Sequence, residues 1–324
     1  MTNDYGLLHS CILDGKGSSA EIAIDDIPTW TKEKGLLWLH FDYTHPDAEA
    51  WMLEKLGLDQ IIIQALLVDE TRPRATMIND GFLIAFRGIN HNEGAEPDDM
   101  VALRMWIDDG RIITSRRRKL RSVSVVTAQL KQGNGPKNSA DFLVEVMDLI
   151  VDGMSATISG FEESVADYED AVLEGKIGDL RYELANLRRQ AISLRRYLAP
   201  ERDAFARLLI EKVSWITEDH RIQIREVSDS LIRHIENLDA VRERAAVTQE
   251  ELLSRLSEQL NARMYVLSVV AAIFLPLGFL TGLLGINIGG IPGADDPAAF
   301  WLFIAILIAV VILQILIFRW KKWF

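Results

Sequence analysis

Two long stretches near the C-terminal end carry almost no charge, and they constrain this chain more than anything that precedes them. From Met264 to Phe318 the ionisable side chains are Asp295 and Asp296, apart from Tyr265. A helix of about 20 apolar residues spans a hydrocarbon layer of roughly 30 Å. Residues 264–284 and 300–318 each meet that requirement, and Gln314 is the one strongly polar member of the second run. Two membrane-spanning helices are expected, joined by a loop over 285–299.

The flanking charges orient them. Arg263 precedes the first run, Arg319, Lys321 and Lys322 follow the second, and the loop contains neither Lys nor Arg. Basic residues stay on the cytoplasmic side, so both ends are expected in the cytoplasm and the loop outside. Phe300 and Trp301 at one end, and Trp320, Trp323 and Phe324 at the other, suit the interfacial aromatic belts. The opening MTNDYGLLHSCILDGKG lacks a basic region followed by an apolar core, so no cleaved leader is expected there.

Before Arg263 the chain is charged and globular in pattern. Leu7 to Leu13, Leu36 to Phe41, Phe82 to Ile89, Val101 to Ile107 and Arg111 to Thr114 read as strands, punctuated by Asn79-Asp80-Gly81 and Asp108-Asp109-Gly110. Helical patterns over Pro46 to Leu56 and Asp59 to Val68 lie between them. Residues 1–135 therefore form a cytoplasmic α/β domain. From Ser139 the apolar period becomes three and four, giving an antiparallel helical pair over 136–216 with a turn at Gly175-Lys176-Ile177-Gly178. Pro200 either kinks or interrupts the second helix of that pair.

A longer helix then begins near Thr217, free of proline and glycine until Pro276. Leu231, Ile235, Leu238, Arg242, Ala245, Gln249, Leu252 and Leu256 follow a heptad spacing. Residues 217–263 thus read as a stalk that leads into the first span, with 320–324 as a basic, aromatic tail on the cytoplasmic side.

Composition excludes several functions. The net charge of −12 argues against a nucleic-acid partner, because such affinity rests on clustered cations. The one basic run, Arg116, Arg117, Arg118, Lys119 and Arg121, reads as a solvated loop or a subunit contact. A single cysteine, Cys11, rules out an intrachain disulfide framework and any CxxC site. The α/β domain carries no GxSxG, phosphate-loop or dinucleotide motif, so no enzymatic activity and no catalytic cofactor are expected.

Placed on a helix, Asn261, Met264, Leu267, Ala271, Leu275, Gly278 and Gly282 share one face of the first span. Two helices cannot enclose a pore, but copies of this face around an axis would stack an amide ring, apolar rings able to gate by dewetting, and small residues. A lipid-facing or neighbour-facing stripe would show the same period. Gly278 and Gly282 also form a GxxxG, which favours close helix association.

The segment GFLTGLLGINIGGIPG, residues 278–293, ends the first span in glycines and leaves Asn287 as its strongly polar side chain. It resembles the CorA superfamily of metal-ion transporters, whose first span ends in Gly-Met-Asn and whose chain ends in a basic tail. Here the motif is Gly285-Ile286-Asn287, followed by Gly289-Gly290-Ile291-Pro292-Gly293, which is similar to the zinc-transporting ZntB branch. The resemblance implies a funnel-shaped homopentamer in the bacterial inner membrane, embedded in lipid, that takes up Zn²⁺ or other divalent cations with proton coupling. Leu284 and Ile286 depart from the aromatic residue and methionine of the magnesium channels.

A ring of neutral carboxamides at Asn287 can hydrogen-bond an ion's water shell without holding the charge too tightly to release it. Asp295 and Asp296 could concentrate cations at the mouth, or be ordinary solvated acids before Pro297. Neither span contains Cys, His, Asp or Glu, the usual ligands of dehydrated Zn²⁺, so the ion crosses hydrated or its selectivity lies elsewhere. Cytoplasmic metal candidates are Asp219, His220 and Glu226 on the stalk. His9 with Cys11 reads as packing, and Asp42, between His40 and His45, as a turn cap. Two other readings stay open: a CorA-like magnesium or cobalt/nickel channel, and a membrane-anchored metal sensor or scaffold.

Overall fold

A computed structural model describes residues 5–69, 72–176, 178–285, 293 and 296–321. They fall into two compact units, Met1–Gln249 and Glu250–Phe324. The first is built on a seven-stranded sheet in the order β2-β1-β3-β7-β6-β5-β4. Its strands are β1 (Leu7–Leu13), β2 (Ser19–Glu21), β3 (Leu36–Asp42), β4 (Arg74–Ile78), β5 (Gly81–Ile89), β6 (Met100–Ile107) and β7 (Arg111–Arg116). β3 pairs with β7 in parallel, and the other pairings are antiparallel.

The central strands are mainly apolar because both faces of the sheet are covered. On one face Leu37, Leu39 and Phe41 of β3 share a core with Trp51 and Met52 of α1 (Ala48–Lys55) and Ile63 and Leu66 of α2 (Gln60–Leu67). Asp59 starts α2 by accepting the Ile61 N–H at 2.8 Å. On the other face Trp38 meets Phe142 of α4 (Ser139–Leu173) edge-on at 4.9 Å. Phe86 of β5 meets Phe205 of α5 (Leu180–Ile210) in the same way at 5.1 Å. α3 (Arg121–Gln132) packs beside α4.

The five strands expected from the sequence are present, β1 with the expected bounds and the others with one end shifted by one or two residues. β2 and β4 were not expected. Each is short, lies at a sheet edge with one neighbour, and lacks the apolar run that marks the central strands. The basic run, expected as a loop, begins at the last residue of β7 and ends at the first of α3. α5 continues through Pro200 without interruption.

α6 (Glu218–Leu284) is the longest helix. The connection before it is tied to the β4–β5 turn, where Asn79 adopts a φ of 53°. Asp80 there accepts the Ser214 N–H at 3.0 Å and its hydroxyl, and the Trp215 indole donates to the Asp80 carbonyl at 2.7 Å. Within the first unit the buried stripe of α6 is Leu231, Ile235, Leu238, Val241, Ala245 and Thr248. Val241 and Thr248 take the seam positions that heptad spacing gave to Arg242 and Gln249. A straight helix advances 3.6 residues per turn, so its buried stripe drifts from a strict seven-residue repeat. Ion pairs flank the stripe: Arg195 of α5 with Asp239 at 2.6 Å, and Arg244 with Glu169 of α4 at 2.9 Å.

Candidate ion-conducting helix

The second unit contains the remainder of α6 and α7 (Ala299–Trp320). With 22 residues, α7 reaches about 33 Å at 1.5 Å per residue, enough for a hydrocarbon core. Both helices are long and apolar enough to cross a membrane, and 0% of either apolar window is buried within the protomer.

α6 has two distinct faces here. Val269, Ala272, Ile273, Leu277 and Leu280 are half-buried, and they are matched on α7 by Ile304, Leu307, Val311, Gln314 and the buried Phe318. Gln314 is the centre of the contact. Its Nε2 donates to the carbonyl of Ala272 at 3.2 Å. That carbonyl would ordinarily accept the N–H four residues on, but residue 276 is proline and has none. The single strongly polar side chain of the second span thus satisfies the backbone acceptor that Pro276 orphans in the first. In a medium without water such an acceptor is otherwise costly.

Asn261, Met264, Leu267, Ala271, Leu275, Gly278 and Gly282 are all exposed in the protomer. At 3.6 residues per turn, their mean direction lies roughly 180° from the face that meets α7. Leu275 is 72% exposed and Met264 61%. A Cβ built on Gly278 or Gly282 would meet nothing within 4 Å. Nothing among the described residues requires glycine at either position. Gly285 differs: its N–H donates to the Thr281 carbonyl at 2.9 Å, and a Cβ there would sit 2.7 Å from that same oxygen. Glycine is required where α6 ends.

Ile286, Asn287 and Asp295 lie outside the described residues. Asp296 is described, and its Oδ1 accepts the Ala298 N–H at 2.8 Å while its carbonyl accepts the Ala299 N–H at 3.0 Å. One carboxylate oxygen is therefore used in the turn that leads into α7.

Of the metal candidates outside the two spans, Asp219 and Glu226 are exposed. His220 is held on both ring nitrogens: Nδ1 lies 2.7 Å from the Thr217 hydroxyl, and Nε2 lies 2.9 Å from Asp141 Oδ1. The other oxygen of Asp141 accepts the Lys137 N–H at 3.1 Å, so the pair fastens the start of α6 to the start of α4. No cluster of three or more His, Cys, Asp or Glu suited to a metal is found among the described residues. His9 lies tilted against Trp38 with ring centres 5.5 Å apart, and Cys11 is buried, which pushes its thiol up to about 11. His40 bonds the Thr114 hydroxyl at 2.8 Å, and burial drives its pKa down to about 3. Asp42 Oδ1 accepts the Thr44 N–H at 3.0 Å, the capping role its position suggested.

The role of Gln314 was not foreseen, although its isolation in an apolar run and the i−4 relation of Ala272 to Pro276 were both present in the sequence. Sequence alone could not supply the pairing of the two helices.

The family described as CorA-like Mg²⁺ transporter protein matches residues 33–322. The chain is 40% identical over 316 residues to the zinc transport protein ZntB of Yersinia enterocolitica, covering 98% of this chain and 95% of the relative. It is 38% identical over 324 residues to the divalent cation transporter CmaX of Pseudomonas aeruginosa, covering 99% and 98%. The solved structure of full-length CmaX superposes with a TM-score of 0.84 at 38% identity, over 100% of both chains.

Proposed function

Because this chain belongs to the CorA-like transporter family, we propose that it carries divalent cations across the bacterial inner membrane, with zinc as the principal ion and uptake as the direction. The observation that carries this reading is the free face of α6, which points away from α7 and is open along its whole length. Two helices per chain cannot enclose a water-filled path, so the conducting assembly is a ring of copies. Five copies follow from the family resemblance, with lipid against the outer surface.

In that ring Asn261 supplies amides at the inner end, and Met264, Leu267 and Leu275 form apolar constrictions that conduct only when wetted. Gly278 and Gly282 line the outer part, and the Gly285-Ile286-Asn287 motif forms the mouth. Asn287 carboxamides accept hydrogen bonds from the water of a hydrated cation, and Asp295 and Asp296 raise the local cation concentration. Both termini lie in the cytoplasm, as the basic residues flanking the spans require. Uptake is driven by an inward proton gradient, and the proton route lies outside the two spans, which hold no carboxylate or histidine. The chain acts as a transporter, with no covalent chemistry.

Purified protein in liposomes loaded with a zinc-sensitive dye tests this. Zinc influx that rises under an inward proton gradient is expected. Asn287→Ala should lower that influx by about tenfold or more, while the oligomer stays intact. Flux insensitive to protons would make the protein a channel, and magnesium flux without zinc flux would move it to the magnesium branch. Absence of any flux from an intact oligomer would sink the transport reading in favour of a sensor.

A further inference from the structure

β3 and β7 are parallel neighbours, yet their chains leave the sheet in opposite directions. β3 leads to α1 and α2 on one face. β7 leads to α3, which packs with α4, and α4 covers the other face. A crevice opens outside the carboxyl ends of parallel strands where successive connections diverge in this way, and open α/β sheets bind ligands there.

At that point lies a cavity of about 260 Å³ lined by Tyr43, Asp69, Arg87, Arg104, Arg117 and Arg118. Tyr43 immediately follows β3, and Arg117 and Arg118 immediately follow β7. Among the described residues four guanidinium groups face one carboxylate, in a chain whose net charge is −12. The carboxylate is already engaged: Asp69 accepts the Tyr43 hydroxyl at 3.0 Å and Arg117 Nη1 at 3.1 Å. Arg104 is 1% exposed, with its guanidinium 4.5 Å from the centre of the Tyr43 ring. Its Nη2 donates to the Asp69 carbonyl at 2.6 Å, and its Nε has no partner among the described residues. Arg87 is held in place by the Met100 carbonyl at 3.3 Å and by the Tyr197 ring at 4.4 Å.

A buried guanidinium without a carboxylate is expensive to desolvate. Here the buried Arg104 shares one concavity with Arg87, Arg117 and Arg118; aromatic and backbone contacts position Arg104 and Arg87, and Asp69 holds Arg117. We propose that this crevice binds a small phosphate-bearing anion. Guanidinium forks match phosphate oxygens two at a time, and a multivalent tetrahedral group can engage several forks at once. The volume falls just below the roughly 300–1,000 Å³ of pockets that enclose a drug-sized ligand, so one or two phosphate groups fit and a larger attached body would remain outside. Arg117 and Arg118 of the basic run thereby gain a function.

The test uses full-length protein in detergent, metal-free buffer at low salt, and inorganic pyrophosphate titrated by calorimetry. Saturable binding is expected, weakened about tenfold or more in Arg117→Gln/Arg118→Gln, whose residues are exposed and whose loss leaves the core intact. Arg104→Lys keeps the charge, loses the fork, and should weaken binding by about tenfold. Tighter binding of ADP than of pyrophosphate would assign the site to the phosphate tail of a larger molecule, and equal binding to the free anion. No saturable heat up to about 10 mM from an intact oligomer, or unchanged affinity in the variants, would overturn the proposal.

Discussion

Glu201 follows Pro200 inside α5 and is fully buried. Its Oε1 accepts the Arg87 N–H at 3.0 Å, two residues beyond the last β4–β5 pair, so a side chain replaces a missing strand partner. Its Oε2 has no partner among the described residues. Burial dominates and raises the carboxyl to about 8, against the Arg87 N–H and charge, which lower it. At neutral pH the folded protein therefore holds this proton, whereas the unfolded chain has released it. A carboxyl raised on folding contributes stability that is fully present below about 4.5 and is lost as pH rises to about 8. The slope is at most about 1.4 kcal/mol per pH unit in that window. Glu201→Gln keeps the shape and an acceptor for Arg87 and removes the titration. Thermal unfolding of both proteins from pH 5 to pH 8.5 should show the wild type losing ground to the variant as pH rises. Parallel profiles would mean that Glu201 is not the titrating group.

At the scale of elements, the contact between α6 and α7 makes a sharper prediction than their apolar surfaces, which lipid could replace. Gln314→Leu removes the donor to the Ala272 carbonyl and should cost about 1 kcal/mol in helix-pair stability. In a Pro276→Ala background the restored backbone N–H takes that carbonyl, so the same change should cost much less. A double-mutant cycle on thermal stability measures the coupling, and additive costs would separate Gln314 from the proline. How far the elements were legible follows the same physics. β3, β5, β6 and β7 are apolar on both faces and declare themselves as runs, whereas β2 and β4 owe their existence to neighbours that sequence does not reveal. α3 begins within a basic run and includes β-branched residues, Val123, Val125 and Val126, that favour strands in isolation. That Asn261 to Gly282 share one face of α6 follows from their period, because a helix carries its geometry with it; which surface that face meets does not. Its partner face needed α7, and the arginine crevice needed β3, β6 and β7 to be brought together from distant parts of the chain.

For the whole molecule, the separation of the two faces of α6 turns assembly into something a substitution can probe. A Cβ at Gly278 or Gly282 meets nothing within 4 Å among the described residues of the protomer, so each position has room for a side chain. Leucine also has a higher helix propensity than glycine, which lies roughly 0.8–1 kcal/mol below alanine in soluble helices, so Gly278→Leu and Gly282→Leu should not weaken the single chain. In a ring of copies the outcome is different. If these positions pack against a neighbour, the close approach that GxxxG permits is lost, and the oligomer mass, expected at five times 36.6 kDa, should fall in native mass spectrometry. If they line the path, the mass is unchanged while zinc influx drops, because leucine rings narrow and dry the outer pore. Gly285→Ala sets the comparison, since its Cβ collides with the Thr281 carbonyl inside the same chain and should perturb the end of α6 whether or not copies assemble. A chain in which Gly278→Leu and Gly282→Leu change neither mass nor flux would have its α6 face turned toward lipid, and the conducting path would have to be sought on another surface.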